Sequence, residues 1–133
     1  MAEDLPIESD PKPGEGSILN DVKKALGLGP DYTPFDAEIV MHINSTIMEL
    51  EQLGVRSDRQ NGYEITDSSS TWNDYLGANA NINAVQAYLY LSVQTLFDPP
   101  SLSSVLTARQ QLLERYAWRI MVQADNRKDV ASN

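Results

Sequence analysis

The chain has 133 residues, one domain's worth, with ten Lys and Arg against nineteen Asp and Glu and a net charge of −9. Its 41% hydrophobic and 22% charged content excludes wholesale disorder. The lack of Cys excludes a disulfide framework, thiolate metal sites and a cysteine nucleophile, the single His excludes a two-imidazole site, and the acid excess weighs against nonspecific affinity for phosphate backbones.

Residues 1–16 combine Pro6, Pro11, Pro13, Gly14 and Gly16 with five acids and one Lys, a local charge of −4. They read as a flexible acidic arm, with no apolar run that would make a signal peptide. Ser17 is placed to cap a first helix over 18–26, with Ile18, Leu19, Val22 and Leu26 apolar. Gly27, Gly29 and Pro30 end it. Thr33-Pro34-Phe35-Asp36 then supplies a cap, a first-turn proline and a capping acid, which predicts a second helix over 34–53. Ile39, Ile43, Ile47, Leu50 and Leu53 share one face of it, and Gly54 stops it.

Asn61-Gly62 is a two-residue hairpin signal, and Tyr63 and Ile65 alternate with Glu64 and Thr66. This predicts a small β-hairpin with strands near 55–60 and 63–67. Two strands alone are marginal, so the hairpin must lean on a helix or on another subunit. Ser69 or Ser70 is placed to cap a short third helix over 71–76, stopped by Gly77.

The fourth helix, 82–97, carries no charge. Ile82, Val85, Leu89, Val93 and Leu96 form one stripe, and Tyr88, Tyr90, Leu91 and Phe97 widen it, so protein should surround this helix. Its apolar part falls short of the ~20 residues a bilayer needs, and a soluble cytoplasmic chain is expected. Asp98-Pro99-Pro100 ends the helix. A fifth helix over 102–125, capped by Ser101 or Ser103, is expected to bury Val105, Leu106, Leu112, Leu113, Tyr116 and Ile120, with Met121 a further candidate. At 1.5 Å per residue it is roughly 35 Å long and spans the domain. Residues 126–133 read as a polar tail. The fold class is therefore mainly α: a compact helical domain of four to five helices over 17–125, with a small β-hairpin between the second and third.

No catalytic constellation stands out. His42 has Glu38 one turn earlier but no second His or Cys to complete a metal site, so it reads as structural or solvated. Asn44-Ser45-Thr46 matches a glycosylation triplet but falls mid-helix. Asp58 to Asp67 lacks the spacing of a calcium loop. No enzyme activity, cofactor or metal is expected. Trp72 and Tyr75 have two readings: they pin the third helix to the core, or they anchor a neighbouring subunit. Trp118, between Arg115 and Arg119, is either core or half-exposed under a guanidinium. Charge is uneven, −7 over 17–102 and +2 over 103–133. The cations suit a helix C-terminus. They also suit docking on an acidic partner, for which Arg119, Arg127 and Lys128 are the candidates.

Several segments, in this order, resemble the head–tail connector (adaptor) proteins of long-tailed bacteriophages. They are Phe35-Asp36, His42-Ile43-Asn44, Leu50-Glu51-Gln52-Leu53-Gly54-Val55, Tyr63-Glu64-Ile65-Thr66-Asp67, Trp72-Asn73-Asp74-Tyr75-Leu76 and Leu96-Phe97-Asp98-Pro99-Pro100. The resemblance covers roughly 18–125 and leaves the arm outside. It implies a helical subunit of a ring, typically twelve-fold, in the neck of the virion beneath the portal, assembled in the host cytoplasm. Such a ring extends the DNA channel and receives the tail-side stopper or tail-completion protein.

On that resemblance the chain is a structural head-completion adaptor whose second, fourth and fifth helices pack against neighbours. Arg119, Arg127 and Lys128 would meet the portal protein. Asn61 and Gly62 would serve the tail side, and Trp72 and Tyr75 a subunit contact. Genomic DNA would pass through without specific binding, since a negative wall repels phosphates. Deleting 119–133 is expected to abolish portal binding and leave the fold intact. The alternative is a small DNA-binding regulator. Its fourth and fifth helices, joined at Asp98-Pro99-Pro100-Ser101, would form a helix-turn-helix with Arg109, Arg115 and Arg119 on DNA. Against it stand the sign of the net charge and the many apolar positions of the fifth helix.

Overall fold

The computed structural model describes residues 15–55, 62–77 and 82–131, with side chains up to residue 124. Five helices follow in chain order: α1 (Ile18–Ala25), α2 (Asp36–Gln52), α3 (Trp72–Leu76), α4 (Ile82–Phe97) and α5 (Ser103–Ala131). The arm up to residue 14, residues 56–60 of the expected first strand, and Asn61 lie outside the described residues.

Local chemistry sets most boundaries. Ser17 caps α1 by accepting the Asn20 N–H at 3.2 Å. Thr71 caps α3, accepting the Asp74 N–H at 3.1 Å, where Ser69 or Ser70 was expected. Ser69 is engaged elsewhere: its hydroxyl and its backbone N–H both donate to Asp67, which holds that carboxyl below its ordinary range. α2 begins at Asp36 and not at 34, with no side-chain cap; the Thr33 carbonyl accepts the Asp36 N–H at 3.1 Å in a preceding turn. The Asp36 carboxylate instead lies 2.9 Å from Lys23 Nζ, which ties the start of α2 back to α1. α4 occupies the expected residues. α5 runs past the expected end at 125, because no Gly or Pro follows Ser101 to stop it.

The expected second strand does not form, and no strand occurs among the described residues, so the hairpin is not supported. Residues 62–66 lie in irregular backbone against α2, and a side chain takes the place of a partner strand. Asn44 Oδ1 accepts the Ile65 N–H at 2.8 Å while Asn44 Nδ2 donates to the Ile65 carbonyl at 3.0 Å. One carboxamide thus satisfies both backbone groups that a ladder would have paired. The alternation still marks burial, with Tyr63 and Ile65 inside and Glu64 and Thr66 outside. An isolated antiparallel bridge joins Ser17 to Thr71 and seats α3 on the start of α1.

α4 lies between α2 and α5 and packs on both. It runs antiparallel to α2. Phe35 meets Phe97 edge to face at 5.4 Å, the Thr46 and Ser92 hydroxyls share a buried bond of 2.9 Å, and the Tyr88 hydroxyl donates to Glu49 at 3.0 Å. Ile39, Ile43, Ile47 and Leu50 of α2 fill the core with Leu89 and Val93 of α4 and with Ile18 and Val22 of α1. Freedom from charge let α4 take this central place, as the sequence pattern anticipated.

Gly54 closes α2 with φ +101, and a Cβ built there would sit 2.8 Å from the Ala124 Cβ of α5. Two costs therefore coincide. Gly54→Ala is expected to lower stability by about 2 kcal/mol through backbone strain and that clash. Gly27→Ala, at φ +80 with nothing within 4 Å, carries only the strain and is expected to cost about half as much. Urea unfolding of the two variants checks the difference.

Candidate assembly surface

α5 is 29 residues long, roughly 43 Å, and among its described side chains one is fully enclosed in the core, Ile120. Leu113, Tyr116 and Ala117 pack partly against it. Val105 and Leu112, expected inside, are exposed, as is the further candidate Met121. Trp118 is 65% exposed, which excludes the core reading, and Val122 beside it is exposed as well. The cause is geometric. α5 packs along α4, so one face is covered, while its apolar residues recur all around the axis. At about 100° per residue, Trp118 and Val122 project away from Leu113, Tyr116 and Ile120.

α2 has a second such face. Met41 and Met48, two turns apart, are 60% and 59% exposed. They point away from the Ile39, Ile43, Ile47 and Leu50 face. A third apolar patch sits where α2 begins and α4 ends. There Tyr32 and Phe35 stand 5.9 Å apart, Phe35 leans on Phe97, and Leu96 is exposed.

The two flanking helices differ in charge. α2 carries Asp36, Glu38, Glu49 and Glu51 and no Lys or Arg. α5 carries five Lys and Arg against three acids, and its Arg115 and Arg119 are exposed beside Trp118. A phage connector protein family model matches residues 18–127, from the first residue of α1 into the last turns of α5. The chain belongs to the phage connector protein family. Neither the curated proteins nor the solved structures offer a match.

The connector places its sequence-predicted residues unevenly. Arg119 is exposed on α5; Arg127 and Lys128 lie further along the same helix, with side chains outside the described residues. Gly62 is exposed at φ +92, and its N–H donates to Glu51 at 3.3 Å. Trp72 and Tyr75 are 0% and 1% exposed, so the connector's own core encloses both, the first of their two readings. The Trp72 indole donates to Asp21 at 2.7 Å and its ring meets Tyr90 edge to face; Tyr75 stacks on Tyr63 at 5.0 Å. Arg109, needed on DNA by the regulator alternative, turns Nη1 into the fold. His42 lies 3.7 Å from Glu38. No helix among the described residues is long and apolar enough to cross a membrane.

Deleting 119–133 removes Ile120 from the core and Ala124 from beside Gly54, so that deletion is expected to cost stability as well as the basic end of α5. A cut after Ala124 spares both contacts. Met41 and Met48 escaped the sequence reading, although their two-turn spacing opposite the isoleucine face was a usable signal.

The connector's buried phenols are neutral over the working range. Burial first, then the Glu49 charge and hydrogen bond, push Tyr88 up to about 12; burial and the Asp21 charge do the same for Tyr90. Burial and the Glu51 charge raise Tyr75 further. A phenol whose folded pKa exceeds its unfolded value of 10.0 stabilises the fold fully below pH 10. That stability is lost as pH climbs through 10 toward 12. Alkaline titration followed by tyrosinate absorbance should show these three rings ionising together with loss of the helical signal.

Proposed function

We propose that this connector is a structural head-completion adaptor. It forms a ring in the virion neck beneath the portal of the filled capsid, extends the DNA channel, and receives the tail-side stopper or tail-completion protein. The observation that carries this reading is α5, a domain-spanning helix of a phage connector whose Leu112, Trp118, Met121 and Val122 stand in solvent. Apolar residues left out along one helix mark a surface awaiting protein. A closed ring covers such surfaces and adds stability to each subunit by mass action.

The charge balance supports the same reading. A net charge of −9 suits a conduit that surrounds DNA without gripping it. The basic end of α5, with Arg119, Arg127 and Lys128, would dock on the portal, and the Asn61-Gly62 turn would face the tail side. A twelve-fold ring would follow the portal's own symmetry.

The test mixes the full-length protein with DNA-filled, tailless capsids and images them by electron microscopy. A ring of added density at the portal vertex is expected; capsids without it would overturn the adaptor role. The chain ending at Ala124 should keep its helical signal and lose portal binding. Undiminished binding would remove Arg127 and Lys128 from the docking surface.

A further inference from the structure

We propose that neighbouring subunits meet head to tail, with the Arg115–Trp118–Arg119–Val122 face of α5 on one copy seated against the Met41–Met48 face of α2 on the next. This pairing rests on the ring reading above and assigns the two surfaces that make it.

Three observations point to a second copy as the occupant. First, each face is an exposed apolar stripe on a helix whose other side is packed, and the two helices flank α4 rather than lying together. One subunit therefore offers both surfaces at once, on different sides. Second, the charges complement each other. α2 has no Lys or Arg, and Glu38 and Glu51 flank its Met41–Met48 face, Asp36 and Glu49 being held by Lys23 and Tyr88, while the α5 stripe carries Arg115 and Arg119. Placing α5 on α5 would oppose arginine to arginine, and α2 on α2 would oppose glutamate to glutamate. Like-charge contacts of that kind suppress the wrong pairing, so the cross-pairing is the favoured one. Third, the side chains suit an interface. Trp and Arg are enriched among the anchors of protein interfaces, and flexible Met side chains adapt to the ring that lands on them.

The symmetry consequence is specific. Two different patches on each copy make a heterologous contact, which propagates in one direction and closes into a ring when the rotation permits. An isologous contact would stop at a dimer.

Because the chain has no Cys, single thiols can be placed cleanly. Full-length Met48→Cys and Val122→Cys variants, which leave Trp118 in place, are treated with a short bismaleimide separately and mixed, in free solution and on DNA-filled tailless capsids. The mixed product, joining one Met48→Cys chain to one Val122→Cys chain, is expected. It should be lost when the Val122→Cys chain also carries Arg115→Glu and Arg119→Glu. Circular dichroism of that triple variant should be unchanged, since both arginines are exposed. Same-site products in place of the mixed one overturn the pairing. So does ring density at the portal without the mixed product, or a mixed product indifferent to charge reversal. A charge-sensitive mixed product without ring density keeps the pairing and overturns the adaptor reading. Absence of both products and of ring density overturns both.

Discussion

Asp36→Ala is expected to destabilise the protein by about 3 kcal/mol, more than any other single substitution on the α1–α2 corner. Lys23 is 1% exposed, and its ammonium has two partners, the Asp36 carboxylate at 2.9 Å and the Pro30 carbonyl at 3.0 Å. Removing the carboxylate leaves an enclosed positive charge with one neutral acceptor. The reverse change is milder. Lys23→Met fills the same channel with an uncharged chain and strands the enclosed Asp36 Oδ1, but the Asp36 side chain as a whole is 31% exposed, so about 2 kcal/mol is expected. The double variant should recover most of the loss. Urea unfolding of the four proteins measures this order, and an Asp36→Ala cost below that of Lys23→Met would show that the pair does not hold the corner. The corner also aims Tyr32 and Phe35 at the end of α4, so the melting of the variants should be preceded by disorder in that aromatic patch.

Asn44→Ala is the second large effect, again about 3 kcal/mol. It strands the N–H and the carbonyl of Ile65, a residue 1% exposed, and each unsatisfied buried group costs roughly 1–3 kcal/mol. Asn44→Asp separates the two bonds. It keeps an acceptor for the Ile65 N–H and loses the donor, setting a carboxylate oxygen against a carbonyl oxygen. Hydrogen exchange at the Ile65 amide should therefore stay slow in Asn44→Asp and become fast in Asn44→Ala, while both variants unfold at lower urea. Fast exchange in neither would mean that residues 62–66 are held by packing alone.

Particular residues show what the sequence could and could not convey. The bounds of α4 were legible because a charge-free run is bracketed by Asp98-Pro99-Pro100, and the start of α1 because Ser17 is a local cap. The Asn61-Gly62 signal misled because a turn dipeptide reports local geometry, whereas pairing is decided by what lies across from the chain. Across from Ile65 stands Asn44, a residue that sequence reasoning weighed as part of a glycosylation triplet. Lys23 gave no hint of burial, since its neighbour Lys24 has the same chemistry and is exposed. On α5, composition announced an apolar helix, but residues spread around the axis do not say which side finds a partner. The family resemblance carried the connector assignment, and the basic end of α5 was visible as charge. Which apolar residues form the assembly faces depended on α4 lying between its two neighbours.

The two tryptophans report on different events. Trp72 is enclosed, bonded to Asp21 and faced by Tyr90, while Trp118 stands in water. In the free subunit the long-wavelength, quencher-accessible emission therefore belongs to Trp118, and the short-wavelength, protected emission to Trp72. Covering α5 shifts Trp118 toward the blue and leaves Trp72 alone. Unfolding shifts Trp72 toward the red and leaves Trp118 nearly where it was. An unlabelled sample thus carries two optical channels of opposite sign, one for joining a larger particle and one for losing its own shape.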